Sequence, residues 1–219
     1  MNSSDAGRRI QAYEAEAVPI RLAETDADPT LFSPFGPLIG RYRIDPLLIK
    51  CLNAEVDLDL TAGVTSELAL PFELLSRIGP KDHHLLTILA ESVSRFVELV
   101  HGSRPGIITF DAVWVVSQYA NTASPMHFHS GDVAGILYLK TPFLEPSQAS
   151  DNYLLGRRRG EITFLHSGRQ FLSRSVISFV PVVGDLYLFP AWLLHGVEPF
   201  DALGERRSLS FNTRLDSLD

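Results

Sequence analysis

From residue 107 onward the chain breaks into short runs of β-branched and aromatic residues. They are Ile107 to Phe110, Val113 to Tyr119, Ala134 to Leu139, Glu161 to Leu165, Ser175 to Val180, Asp185 to Phe189, His195 to Val197 and Arg207 to Thr213. Gly, Pro, Asn and Asp separate them, and no helical periodicity intervenes. Isolated strands are unstable in water, so runs of this length must pair with one another and bury one face. Short strands at this spacing predict a sandwich or barrel. A double-stranded β-helix, the jelly roll built of two facing sheets, is the predicted member of that class.

The residues before this stretch have a different texture. Asp45-Pro46 reads as an N-cap followed by proline at the first helical position, opening a helix to about Asn53. A longer helix is predicted from Asp82 to His101, where Leu85, Leu89, Val93, Phe96 and Val100 recur at the spacing of one buried face. Gly102 supplies its stop, with His101 in the last turn. Leu38 to Tyr42 reads as a short strand. Residues 1 to 30 are rich in Ala, Asp, Glu and Ser, with Val18 to Leu22 as the one apolar island, and read as a loosely held arm with a single strand. The expected organisation is a single α+β, mainly β domain over residues 1–219. Its parts are an arm (1–30), a helical support (31–106) and a jelly-roll core (107–219).

Composition narrows the function. A hydrophobic content of 45% with 21% charged residues describes a globule, and a net charge of −7 argues against nucleic acid as a partner. No apolar stretch approaches the roughly 20 residues of a membrane span. Met1 to Arg9 are polar with no apolar signal core behind them, which predicts a cytoplasmic protein. Cys51 is the single cysteine, so no internal disulfide forms. Set among Leu47, Leu48, Ile49 and Leu52, it is expected to be a buried, inert thiol.

Seven histidines occur, and four have ordinary placements. His83 and His84 start the long helix, His101 ends it, and His166 precedes a Ser-Gly turn. The other three form a pattern. His127-Phe128-His129 puts two imidazoles two residues apart, and alternation along a strand would aim both at one centre. His195 follows at the end of the apolar run from Leu186 to Leu194. Beyond it, Arg206, Ser208 and Ser210 share one strand face, with Asn212 in the same parity, while Arg207, Leu209 and Phe211 take the other. Three imidazoles beside an inward arginine predict a site for a metal and an anion, and suggest oxygen-activating iron. Cys-rich spacing is absent, which argues against a closed structural zinc site. Phe189 and Trp192 are expected to pack beside the metal, and Arg157 to Arg159 to form a solvated loop.

Trp114 through Leu139, the strand Gly160 to Phe164, Gly184 to Pro190, His195 and Arg206-Arg207-Ser208 resemble the 2-oxoglutarate/Fe(II)-dependent oxygenases. The similarity covers roughly residues 107 to 213. It implies a distorted jelly roll carrying Fe(II), with 2-oxoglutarate as cosubstrate, in a dioxygenase acting as a hydroxylase. In the family, an arginine about ten residues past the distal histidine, with a serine at the next inward position, holds the C5 carboxylate of 2-oxoglutarate. Arg206 and Ser208 occupy those positions, and Tyr138 and Gln118 are placed to hydrogen-bond the cosubstrate. The departure is at the second ligand, where the usual His-x-Asp is His127-x-His129. Either His127, His129 and His195 bind iron together, the favoured set, or Asp132 supplies a carboxylate. No catalytic residue is implied beyond the metal ligands.

Two other readings stand beside this one: a cupin-like metal enzyme, and a non-catalytic metal- or ligand-binding jelly roll. Arg206-x-Ser208 discriminates against the cupin, which has no use for a carboxylate clamp. The expected partner is a small-molecule or peptide substrate, with neither nucleic acid nor membrane, and a homodimer is an allowed assembly. The loop from Thr141 to Arg159 is expected to help set the substrate.

Overall fold

Every β-rich run after residue 107 forms a strand in the computed structural model, which describes residues 30–32, 36–81, 83–142, 160–167 and 175–216. The expected arm strand at Val18–Leu22, Asp82, most of the loop up to Arg159 and the Arg157–Arg159 run lie outside the described residues. In chain order the elements are β1 (Thr30–Phe32), β2 (Ile39–Arg43), α1 (Pro46–Val56), β3 (Ser66–Ala69), α2 (Phe72–Leu75) and α3 (Leu85–His101). There follow β4 (Ile107–Gln118), β5 (Ser124–His127), β6 (Val133–Lys140), β7 (Ile162–Leu165), β8 (Val176–Phe179), β9 (Asp185–Pro190), β10 (Leu194–Val197) and β11 (Arg206–Asp216).

These strands make two antiparallel sheets. The larger has seven strands in the order β1-β2-β9-β6-β11-β4-β3, the smaller four in the order β5-β10-β7-β8. Residues 31–106 are therefore more than a helical support, since β2 and β3 extend the large sheet on its two sides. An edge strand of four residues such as Ser66–Ala69 carries too little periodicity to be read from sequence. The runs Ile107–Phe110 and Val113–Tyr119 are one strand. Its pairing with β11 shifts between Asn212 and Thr213, leaving Asp111 as the extra residue of a bulge.

The helices start and stop for local reasons. Asp45 Oδ1 accepts the Leu47 N–H at 2.7 Å and Pro46 follows, so α1 begins where expected, although it runs on to Val56. Helix α3 begins at Leu85, with the His84 ring Nδ1 accepting the Thr87 N–H at 3.2 Å. Gly102 ends it at φ 91°, a left-handed conformation that glycine adopts without a Cβ penalty. Cys51 departs from expectation. Leu48, Ile49, Leu52 and Val56 form the buried face of α1, and Cys51 lies off that stripe, exposed. No helix among the described residues is long and apolar enough to cross a membrane.

The large sheet has a core on each face. On one, α1, α2 and α3 pack through Leu52, Leu75, Leu89 and Phe96 against Val115, Leu137, Leu209 and Phe211. On the other, Ile136, Tyr138, Tyr187 and Phe189 meet Ile162 and Phe164 of the small sheet. Strand β6 lies between the two cores, so its residues through Leu139 are all buried and no polar face survives. The layers interlock at Gly135, where an added Cβ would sit 2.1 Å from Cζ of Phe211. That ring is fully buried and lies 5.3 Å from Phe110, so it cannot swing aside freely. Gly135→Ala is expected to lower unfolding stability by at least about 1–3 kcal/mol, the usual range for overpacking. A urea midpoint unchanged from the parent would show that the ring relocates without cost.

Candidate metal centre

The small sheet brings the first and third histidines together. Strand β10 pairs with β5 so that His195 lies opposite His127. His129 arrives differently from the sequence expectation. Strand β5 ends at His127, so strand alternation alone does not aim His129. Its backbone N–H donates to the Ala191 carbonyl at 2.9 Å, while the Ala191 N–H donates to the Asp132 carbonyl at 2.9 Å. Those two bonds fasten the segment after β5 to the turn between β9 and β10.

The three rings converge. One ring nitrogen from each residue lies within 4.8 Å of the other two. The Nε2 atoms of His129 and His195 are 3.1 Å apart. His195 Nδ1 donates to the Leu193 carbonyl at 2.9 Å and His127 Nδ1 to the Pro125 carbonyl at 2.6 Å. These two rings thus spend Nδ1 on the backbone two residues upstream, leaving Nε2 with a lone pair for the centre, a common orienting device at metal sites. Two ligand atoms about 2.1 Å from a shared ion at a right angle would sit roughly 3.0 Å apart, so the donor set fits a metal.

Burial disfavours the charged form of two of the rings. His195 is 1% exposed, with Phe189 and Phe164 ring centroids at 4.7 and 5.9 Å. Desolvation pushes its pKa down to about 3, against the opposing pull of the Leu193 carbonyl. Desolvation, then the His127 charge, lowers His129 to about 4. Asp132 is absent from the cluster. Its Oδ2 accepts the Leu215 N–H at 2.8 Å, which makes it a cap on β11. Trp192 is 55% exposed with its ring toward His166, not packed at the centre, because it lies on the turn and points away from the apolar run. Phe189 does pack there.

The histidines share a cavity of about 520 Å³ with Arg206, Ser208 and Ser210. The strand parity holds. Leu209 and Phe211 enter the helix-side core, and Arg207 turns toward Glu205, Asp57 and Asn53. Asn212 shares the Arg206 parity but is buried beyond the cavity lining, its Oδ1 without a hydrogen-bond partner among the described residues.

Arg206 is 1% exposed and faces no carboxylate among the described residues. Its Nη1 donates to Gln118 Oε1 at 2.7 Å, Nη2 to Tyr138 OH at 3.0 Å and Nε to the Gly160 carbonyl at 3.2 Å. Three of its five N–H groups are thereby used and two remain for an anion. Tyr138 and Gln118, expected at the cosubstrate, contact Arg206 itself. Gln118 also donates from Nε2 to Ser124 Oγ at 3.0 Å, tying the arginine to the strand that carries His127. Burial raises the Tyr138 pKa, against the lowering effect of Arg206, so the hydroxyl keeps its proton. Trp114, with its ring 5.5 Å from His129, and Glu67 on β3 also line the cavity. The only signal for Trp114 was parity along β4, and β3 gave none.

Residues 112–212 match the model of a family described as "Putative 2OG-Fe(II) oxygenase". That span holds the three histidines, Arg206 and Ser208. A little under half of the chain thus carries the pattern of the 2-oxoglutarate/Fe(II) oxygenases. The match supports an oxygenase that uses Fe(II) and 2-oxoglutarate over the cupin reading. The fold of the chain is shared with the viral collagen prolyl hydroxylase of Paramecium bursaria Chlorella virus-1 in its 2-oxoglutarate complex, at 15% identity and TM-score 0.53, covering 81% of this chain and 96% of that one. A Pseudomonas putida prolyl-4-hydroxylase is similar at 15% identity and TM-score 0.51, with 82% and 93% covered. HygX from Streptomyces hygroscopicus, with nickel and 2-oxoglutarate bound, is similar at 10% identity and TM-score 0.54, with 82% and 83% covered. No curated protein sequence matches the chain.

Proposed function

We propose that this oxygenase is a hydroxylase in which His127, His129 and His195 hold Fe(II), and Arg206 with Ser208 holds the C5 carboxylate of 2-oxoglutarate. The observation that carries the reading is Arg206: a buried guanidinium with two uncommitted donors, in the same cavity as three convergent imidazoles. A buried cation without a counter-charge is costly, so the cavity is built for an anion. With iron and 2-oxoglutarate bound, dioxygen is split between the products, giving succinate, carbon dioxide and a substrate C–OH in place of C–H.

The residues of this chain bind, orient and exclude water. Arg206 fixes one end of the cosubstrate through a planar fork matched to a carboxylate. The Tyr138 oxygen accepts from Arg206, which leaves its own proton available to the same carboxylate. Gln118 spans Arg206 and Ser124 and so sets the distance between the anion clamp and the His127 strand. Phe164 and Phe189 keep water from His195. Imidazole ligands carry no charge of their own when they bind a metal, so an ion held by these three residues would keep its positive charge for the cosubstrate.

Titrating 2-oxoglutarate into the iron-loaded protein with oxygen excluded is expected to raise a visible metal-to-ligand charge-transfer band. Admitting oxygen should then form succinate. If 2-oxoglutarate neither binds nor alters the iron spectrum, the protein is a non-catalytic metal-binding jelly roll instead.

A further inference from the structure

One wall of the cavity takes no part in holding iron or 2-oxoglutarate. On β3, Glu67 lies opposite Val116 and Ala69 opposite Trp114. On the far side of β4, Val116 lies opposite Ser208 and Trp114 opposite Ser210. Glu67, Ala69, Trp114 and Val116 therefore share the sheet face of the cosubstrate strand's serines. Trp114 is half-buried beside His129, and Ala69, its cross-strand partner, is too small to cover the indole.

Glu67 is exposed at the edge of this wall and is the single carboxylate among the described residues lining the cavity. It forms no ion pair or hydrogen bond with any described residue. The strand beneath it is held in place: the Tyr119 N–H donates to Thr65 Oγ1 at 3.3 Å, and the hydroxyls of Thr65 and Thr122 are 3.3 Å apart. A lone carboxylate on an edge strand is ordinarily a solvated charge. Here it stands diagonally across the strand pair from an uncovered indole, and both open onto the reaction cavity. A carboxylate and a tryptophan face together recognise a cationic nitrogen, one by charge-assisted hydrogen bonding and the other through the ring quadrupole. No other group in the cavity competes for that role, because Arg206 repels cations and the histidines face the metal.

Resting on the hydroxylase reading, we propose that the substrate carries an ammonium or guanidinium group, seated between Glu67 and Trp114 while a carbon further along reaches the histidine centre. Diagonal partners on adjacent strands lie about 7–8 Å apart. The Trp114 ring lies 5.5 Å from His129, so a cation on the Glu67 side of the indole and a carbon at the histidines are separated by several bonds, the length of an aminoalkyl chain. A free alkylamine and a lysyl or arginyl side chain share this chemistry.

Calorimetry on the iron- and 2-oxoglutarate-loaded protein without oxygen tests the assignment. The probes are cadaverine, agmatine, a short lysine-containing peptide and the neutral isostere 1-pentanol. At least one cationic probe should bind and pentanol should not. Binding by cadaverine or agmatine identifies a free amine as the source, and binding by the peptide alone identifies a side chain. Glu67→Gln should weaken the cation by about tenfold or more, with 2-oxoglutarate affinity unchanged, and Glu67→Asp should recover part of the loss. No cationic binding to the parent, equal binding of pentanol, or an unaffected Glu67→Gln variant overturns the assignment. If 2-oxoglutarate binds normally in those cases, the hydroxylase reading survives. Failure of the parent to bind 2-oxoglutarate at all removes both.

Discussion

Arg206→Ala is expected to lose 2-oxoglutarate binding while still loading metal. Truncating one partner of a buried charge pair typically costs about 2–5 kcal/mol, which corresponds to roughly 30-fold to several-thousand-fold in dissociation constant. The upper part of that range applies here, because the guanidinium is buried and its remaining donors have no described acidic partner to fall back on. The three imidazoles do not hydrogen-bond to Arg206. Among the described residues the side-chain link from Arg206 to the His127 strand runs through Gln118 and Ser124, so metal affinity should change far less.

The adjacent arginine is the control. Arg207 lies on the opposite face and pairs with Glu205 at 2.6 Å and Asp57 at 2.7 Å, next to a Lys140–Asp57 contact at 2.9 Å. This network joins β11 and β6 to the end of α1. It holds the Glu205 carboxyl below the usual carboxylate range against the opposing effect of burial. Arg207→Ala should therefore reduce thermal stability and leave 2-oxoglutarate affinity near the parent value. The reverse outcome, binding lost in Arg207→Ala and kept in Arg206→Ala, would mean that the cosubstrate enters from the helix side.

The β half was legible because its strands are buried on at least one face, and burial imposes composition. The parity of β11 could be read from Arg206 to Phe211 for the same reason: Leu209 and Phe211 need a core, and Arg206 and Ser208 need a polar cavity. Elements held by backbone contacts left no comparable trace. His129 reaches the centre through its bond to Ala191, and β3 is set by pairing with β4. Cys51 shows the opposite failure. Apolar neighbours in sequence suggested burial, yet helical geometry turns residue 51 away from the face formed by Leu48 and Leu52. The contacts of Gln118 and Tyr138 with Arg206 depend on three strands meeting at one point, which no pattern along a single strand encodes.

His195→Ala is expected to remove tight metal binding, with a loss beyond the roughly 10–100-fold caused by deleting an outer-shell partner. His195 is the most buried of the three ligands, and its ring is fixed by Leu193, so no neighbouring donor can take its place. The same residue shapes the pH dependence of the metal-free protein. Burial penalises the charged rings and pushes the pKa of His195 down to about 3 and that of His129 to about 4, below the ordinary imidazole value of 6.5. The unfolded chain binds protons that the folded one refuses. Both histidines then contribute stability that is fully present above about pH 6.5 and is lost progressively as pH falls through 4 toward 3. The size of that loss is of order a few kcal/mol. In His195→Ala the decline between pH 6.5 and 4 should be shallower, since one of the two refusing sites is gone. Urea unfolding of the metal-stripped parent and variant at stepped pH measures this directly. A parent whose stability is flat over that interval would mean that its rings are solvated. The burial of His129 and His195 at the convergence point would then not describe the protein in solution.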